Sequence, residues 1–238
     1  GRNFTIDPEP TILPEGPFET FGIEDARITQ LGDTFYINYS AISPRGVTTC
    51  LAGTRDFKSF ERRGVIFAPD NKDVAIFPEK VGDRYYCLHR PSMKQIGSPS
   101  VWLASSENLL DWGRHQFIAG IRPGMWDGER VGGGALPVRT PEGWLEIYHG
   151  ADENIRYCSG GLLLDLDEPW RVIARSSQPI LAPEMDYEVD GLMPNVVFNN
   201  GVLQRPDGTV ELYYGATDET CCGCTMDVQA VVDSLDRM

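Results

Sequence analysis

Four segments of this sequence align without gaps, and they restrict the fold more than any other feature: 32–41 (GDTFYINYSA), 82–91 (GDRYYCLHRP), 142–151 (EGWLEIYHGA) and 207–216 (DGTVELYYGA). Each is a turn, an aromatic-rich strand and a polar ring residue, namely Tyr39, His89, His149 or Tyr214. Their starts lie roughly 50 to 65 residues apart, the period at which repeated sheets form propeller blades. After each comes a strand of small residues, Thr49 to Gly53, Val101 to Ser105, Tyr157 to Gly161 and Cys222 to Thr225, which suits crowding near an axis. Polar turns at 55–60 and 107–112 then carry an aromatic residue towards an outer strand. A repeat of this length is too long for hairpins alone, so an all-β propeller is favoured over a sandwich.

A second repeat links distant parts of the chain. Ile12-Leu13-Pro14-Glu15 with Phe18-Glu19 and Gly22 matches Ile180-Leu181-Ala182-Pro183-Glu184 with Tyr187-Glu188 and Gly191. It predicts analogous sites for Asp25 and for Pro194-Asn195. Helix is confined to a short turn near 227–235, since no other segment sustains an i, i+3, i+4 apolar pattern. Asn3-Phe4-Thr5-Ile6 and Pro10-Thr11-Ile12-Leu13 read as the outer strand and exit of an earlier blade. The expectation is one domain over 1–238, with about four complete blades plus an N-terminal fragment, most of a first blade being absent. The sheet edges exposed by an incomplete ring point to a homo-oligomer or to low stability.

A formal charge of −14 and the lack of any Lys/Arg-rich run argue against nucleic acid or an anionic membrane as partner. No apolar stretch approaches a membrane span, and no signal pattern opens the chain. Cys50, Cys87 and Cys158 fall in expected strands, and Cys221, Cys222 and Cys224 are too crowded for a disulfide framework, so reduced thiols in a cytoplasmic protein fit best. No paired Cys or His motif accompanies Cys221-Cys222-Gly223-Cys224, and no metal is expected.

Glu24-Asp25-Ala26-Arg27 leads into the hairpin made by Arg27-Ile28-Thr29 and Phe35 to Tyr39 across a Gly32-Asp33 turn. Taken alone it has two readings, a pocket acid or a surface Asp25/Arg27 pair. The blade repeat adds weight to the first, because strand ends of a propeller converge on its channel. The converging set is Asp25, Lys72 with Asp73, His89-Arg90, Arg130, His149, Tyr157 and Asp218. Cations gathered in a chain of net negative charge mark an anion site, and phosphate suits arginine forks and a lysine point charge. Each residue singly also has a structural role open to it: Arg90 as a strand cap before Pro91, His149 as a core histidine, Lys72-Asp73 as a surface pair. The tryptophans 102, 126, 144 and 170 serve equally as sugar-stacking faces or as core.

Gly22 to Ile28, Asn71-Lys72-Asp73 with Phe77-Pro78-Glu79-Lys80, Leu88-His89-Arg90-Pro91, Arg130-Val131-Gly132-Gly133-Gly134, Gly143 to Gly150, Asn195-Val196-Val197-Phe198 and Tyr213 to Asp218 resemble, in order, the motifs of glycoside hydrolase family 130. The resemblance implies a five-bladed β-propeller and the activity of a β-mannoside phosphorylase. It implies Asp25 as catalytic acid and Lys72, Arg90, Arg130, His149 and Tyr157 as the phosphate-binding group. Asp218 would hold the mannosyl ring, with Glu24, Asp73 and Asn195 as further substrate-binding positions. Two matches are inexact: the family pattern often has Arg at position 72 and Lys at position 130, exchanges that keep charge and alter fork geometry.

The chemistry implied is inverting: phosphate attacks the anomeric carbon of a non-reducing β-mannosyl unit while Asp25 protonates the leaving oxygen, by way of a sugar hydroxyl in the family. α-Mannose 1-phosphate and a shortened sugar result. No cofactor is expected, inorganic phosphate being a co-substrate, and the partners are phosphate and a mannose-containing oligosaccharide. An inverting hydrolase needs a second carboxylate as base, whereas phosphate is already an anionic nucleophile. The alternatives are a β-mannosidase of the same family and an inactive sugar-binding propeller.

Overall fold

The structure is a computed structural model that describes residues 4–92 and 95–238. Each repeated segment becomes the second strand of its own antiparallel sheet. The first sheet runs β1 (Gly22–Leu31), β2 (Thr34–Ser43), β3 (Gly46–Thr54), β4 (Glu61–Phe67), and the second runs β5 (Asn71–Ile76), β6 (Tyr85–Pro91), β7 (Val101–Ser106), β8 (Gly113–Ala119). In the third, the first strand is split into β9 (Arg130–Gly132) and β10 (Val138–Arg139), both paired with β11 (Trp144–Ala151), and β12 (Tyr157–Leu164) and β13 (Val172–Arg175) follow. A one-turn helix α1 (Asp186–Val189) leads to the fourth sheet, β14 (Val197–Gln204), β15 (Thr209–Ala216) and β16 (Thr220–Asp227). The chain closes with α2 (Val228–Asp233), at the expected place, and β17 (Asp236–Arg237).

The four sheets form a propeller-like arrangement, with apolar cores between consecutive blades. Leu51, Ile66 and Phe67 meet Val74, Ile76 and Cys87 between blades one and two. Phe77, Leu88 and Leu103 meet Trp144, Tyr148 and Leu162 between two and three. Leu145, Leu163 and Ala174 meet Val210, Leu212 and the α2 valines between three and four. Polar side chains also peg the blades together through backbone carbonyls. Asn38 Nδ2 donates to the Val74 carbonyl (2.7 Å) and Thr29 Oγ1 to that of Ile76 (3.1 Å). Asn199 Nδ2 donates to the Ile147 carbonyl (2.6 Å), which has no ladder partner in the gap between β9 and β10.

The second repeat is realised atom for atom. Glu19 accepts from the Glu15 N–H (2.6 Å) and the Tyr39 hydroxyl (2.9 Å); Glu188 accepts from the Glu184 N–H (2.9 Å) and the Tyr214 hydroxyl (2.7 Å).

Four expectations are corrected. The fourth blade has three strands: β17 pairs with β13 of the third blade, where Leu235 packs against Gly161, and no described strand covers the outer edge of β16. Residues 4–6 and 10–13 form no strand, Asn3 lying outside the described residues; Ile12 instead packs on the first blade's outer cluster. The small-residue strands are third in each sheet, not nearest the axis, and their smallness admits neighbours from the next layer, as at Gly160 against Trp126 and Ser176. His89 points away from the axis. It stacks on Phe67 of blade one (4.6 Å) with its ring nitrogens 3.1 Å from Asn71 Nδ2 and His115 Nδ1, because strand alternation sends it to the face opposite Arg90.

Burial, followed by the charge of His115, pushes the His89 imidazole down to about 3. An unfolded histidine titrates near 6.5, so the unfolded chain takes up the proton first. Stability from this residue is complete above about pH 6.5 and is lost as pH falls towards 3, by up to about 1.4 kcal/mol per pH unit. His89→Gln should flatten that acid limb in urea unfolding curves measured across pH 3 to 7.

Candidate functional site

The first strand of every blade is interrupted at one register. β1 shifts between Glu24 and Arg27, β5 between Lys72 and Ala75, and β14 between Asn199 and Gly201, while residues 133–137 break the strand in blade three. Glu24, Lys72 and Phe198 pair with Ser40, Arg90 and Gly215, which are aligned positions of the repeat. Asp25, Asp73 and Asn199 are therefore equivalent, and Pro194-Asn195, expected to match Asp25, precedes that point. Asp25 and Asp73 both take left-handed backbone (φ 55° and 54°), which short polar side chains tolerate best after glycine.

The bulges turn these two acids into different environments. Asp25 is half-buried, and its Oδ2 lies 3.0 Å from Lys72 Nζ. Glu24 also reaches Lys72 (3.2 Å), so the two neighbouring acids share one cation. Strict alternation would have separated them; the bulge removes it. Burial lowers Lys72, and the adjoining carboxylates, Asp25 foremost, more than offset this, so the ammonium titrates above its usual range.

Asp73 faces away from Lys72, into a wholly buried cluster. Its Oδ2 lies 2.6 Å from Arg90 Nε and 3.2 Å from His149 Nε2, and its Oδ1 lies 3.6 Å from Arg27 Nη2. Burial alone would raise this carboxyl, but Arg90, then His149 and Arg27, hold it far below the carboxylate range. Burial lowers His149 despite Asp73, which makes its imidazole a neutral partner. A Cβ at position 132 would collide with the Asp73 carboxylate and the His149 ring, which explains the glycine there. His149 also packs on Phe198 of blade four (4.4 Å).

Around this cluster lie the remaining expected residues. Arg130 Nη1 donates to the Tyr157 hydroxyl (2.8 Å) and lies over that ring. Tyr157 N–H donates to the Asn195 carbonyl (2.9 Å), fixing the Asn195 turn beside it. Asp218 is exposed at the β15–β16 turn and makes no side-chain hydrogen bond or ion pair among the described residues. Asp73 and His149, expected to meet substrate or phosphate, have fully covered side chains in this structure. Of the tryptophans, Trp144 is core and Trp126 packs on Tyr148.

Two participants lay outside the expected site set. Arg27 is 2% exposed; its Nε and Nη2 donate to the carbonyls of Gly134 and Gly133, and its Nη1 donates to that of Asp25. Glu146 is fully buried and accepts from the Gly134 N–H (2.7 Å). Burial pushes its carboxyl up to about 8, against the pull of that N–H and of Arg27. A carboxylate between Trp144-Leu145 and Ile147-Tyr148 was the available signal. No group of His, Cys, Asp or Glu among the described residues is arranged to hold a metal ion, and the six cysteines are unbridged.

What these residues define is a propeller-like protein whose blades bring a partly open acid, a lysine and a buried cationic cluster together at their inner strands. The Glyco_hydro_130 family model, described as beta-1,4-mannooligosaccharide phosphorylase, matches residues 1–237, and the chain belongs to that family. A Beta-1,2-mannobiose phosphorylase of Listeria innocua is 49% identical over 99% of this chain and 66% of its own length. A 1,2-beta-oligomannan phosphorylase of Thermoanaerobacter sp. is 39% identical over 92% of this chain and 72% of its own. The solved structure of the Listeria innocua enzyme in complex with beta-1,2-mannobiose superposes with a TM-score of 0.95 at 48% identity, covering 98% of this chain and 65% of that one. The chain thus spans about two-thirds of the length of these relatives. No helix among the described residues is long and apolar enough to cross a membrane.

Asp73→Asn removes the anion from between Arg90 and Arg27, both at least nine-tenths covered. Uncompensated buried charge typically costs about 3–5 kcal/mol. Equilibrium urea denaturation should show a loss of that size.

Proposed function

We propose that this chain is the greater part of an inverting β-mannoside phosphorylase, with Asp25 as its acid. The observation that supports this best is an asymmetry among carboxylates. Asp73 and Glu146 are wholly buried, the first committed to Arg90 and His149. Asp25, with Glu24 beside it, faces Lys72, and Arg90 follows across the strand pair. An inverting hydrolase needs an open acid and, opposite it, an open base. Open acids that face a cation, rather than a second carboxylate across the site, suit an anionic nucleophile.

In this reading Lys72, Arg90, Arg130 and Tyr157 form the phosphate group, with the covered His149 behind them holding Asp73 and so Arg90 in place. Phosphate attacks the anomeric carbon; the bond to the leaving oxygen breaks as that oxygen takes a proton originating from Asp25, and α-mannose 1-phosphate departs. Glu24, Asp73, Asn195 and Asp218 serve the mannosyl side, Asp73 through the cations that it aligns. The names of the Listeria and Thermoanaerobacter relatives favour a β-1,2-linked mannoside as substrate. A fifth blade would complete the ring beside the first and fourth, and a second copy of the chain could cover the β16 edge. The free thiols fit a cytoplasmic setting.

Incubation with β-1,2-mannobiose should release mannose 1-phosphate when phosphate is present and nothing when it is absent. Equal release of free mannose in both conditions would support a hydrolase instead. Asp25→Asn keeps the shape and removes the acid, so phosphorolysis of the mannobiose should fall by about 10²–10⁴-fold. An aryl mannoside, whose leaving group needs little protonation, should be hurt less.

Arg130 is the cleaner probe of the anion group, because Arg90 also holds Asp73. A charged hydrogen bond contributes about 1.5–3 kcal/mol, so Arg130→Gln should weaken phosphate binding by about ten- to a hundredfold. The KM for phosphate should report this, with that for the mannoside nearly unchanged.

A further inference from the structure

One side chain bonds or packs against all four blades. Arg27 leaves β1 just after the bulge, turns inward and donates through Nε to the Gly134 carbonyl, through Nη2 to Gly133 (3.0 Å) and through Nη1 to Asp25 (3.1 Å). Nη2 also lies 3.6 Å from Asp73 of blade two, and the guanidinium sits over Phe198 of blade four at 5.9 Å. The glycine turn it grips is held from the other side by Glu146, which accepts the Gly134 N–H. A Cβ at Gly134 would collide with Asn199 and the Ile147 carbonyl, so the turn has no room to move sideways. Immediately before this turn, β9 carries Arg130.

From this we infer that Arg27 is a positioning residue: it sets the distance between the acid Asp25 on blade one and the anion-binding Arg130 on blade three. It touches neither sugar nor phosphate, and the inference rests on the roles proposed above for those two residues. The bulge at Asp25 has a left-handed residue at its centre, so its two flanking ladders alone do not determine where the carboxylate points. The bond from Arg27 Nη1 to the Asp25 carbonyl supplies the missing constraint. Its other two donors refer that constraint to the turn that continues β9. A guanidinium is suited to this because it presents several donors in one rigid plane, and lysine would satisfy at most part of the set.

Two measurements on Arg27→Lys test the inference, with Thr29→Val as a control that removes a different inter-blade bond, from Thr29 Oγ1 to Ile76. Amide exchange at Gly134 should rise at least tenfold in Arg27→Lys and stay unchanged in Thr29→Val. In turnover, kcat on a natural mannoside should fall about ten- to a hundredfold, the size expected of a misplaced group, while an activated aryl mannoside loses clearly less and the KM for phosphate changes little. Equal losses on the two substrates would make Arg27 a purely structural residue and overturn the inference, as would unchanged exchange at Gly134 or the same pattern in Thr29→Val. If Arg27→Lys does not fold, Arg27→Gln, which leaves Arg90 on Asp73, takes its place in both measurements. Absence of phosphate-dependent turnover in the unmodified chain would sink the phosphorylase reading, and the exchange result would then decide by itself whether Arg27 fixes the turn.

Discussion

The buried carboxylate of Asp73 is the interaction on which the centre of the molecule depends. A charge with no exposed surface persists only if opposite charges or polar partners are brought to it, and here they come from three blades: the charges of Arg90 from its own and Arg27 from the first, and the neutral ring of His149 from the third. The apolar cores between neighbouring blades bring sheets face to face without fixing how far each slides along the next. Charge pairing in a covered site is strict about distance and so removes that freedom. Gly132 follows from the same demand, because only a residue without a side chain leaves space for the carboxylate and the imidazole together.

The bulges link this arrangement to the site. In an unbroken strand Asp73 would point opposite to Lys72, and Asp25 opposite to Glu24, by simple alternation. At Asp73 that opposition is kept and the acid faces the buried cations, whereas at Asp25 the shifted register leaves both neighbouring acids on Lys72. Equivalent residues with the same backbone angle thereby take on separate work, one holding cations and the other facing open space. Asn199 in the fourth blade marks the same point with an uncharged group, accepting from Ser159 and donating to Ile147.

The blade plan was legible in the sequence because it is written locally. The aromatic second strands, the Gly32-Asp33 turn, the polar turns at 55–60 and 107–112 and the paired Glu19 and Glu188 motifs all repeat with short-range signatures. The converging residues were legible to the extent that they sit on or beside those repeats: Arg90 and His149 lie on them, and Lys72 and Arg130 pair with them across the ladder. What escaped depends on register or on contacts between distant blades. The equivalence of Asp25 and Asp73 is hidden by bulges that no residue type announces. His89 sits in the same repeat position as His149 yet turns to Phe67, because its blade offers Asp73 to Arg90 and His149 instead. The third strand of the last sheet carried no sign that its fourth partner would be missing, since β17 is only two residues long and joins its neighbour through packing of Leu235.

The stacking of blades gives the molecule a direction in which it comes apart. Each apolar core joins one blade to the next, so cohesion is a chain of nearest-neighbour contacts, and the blades flanked on both sides are held twice. Lys72, Arg90, Arg130 and His149 sit on those doubly held blades, while Asp25 sits on the first, which shares its apolar core with the second. Opening between the first and second blades would therefore part Asp25 from Lys72 while Lys72, Arg90, Arg130 and His149 stay together.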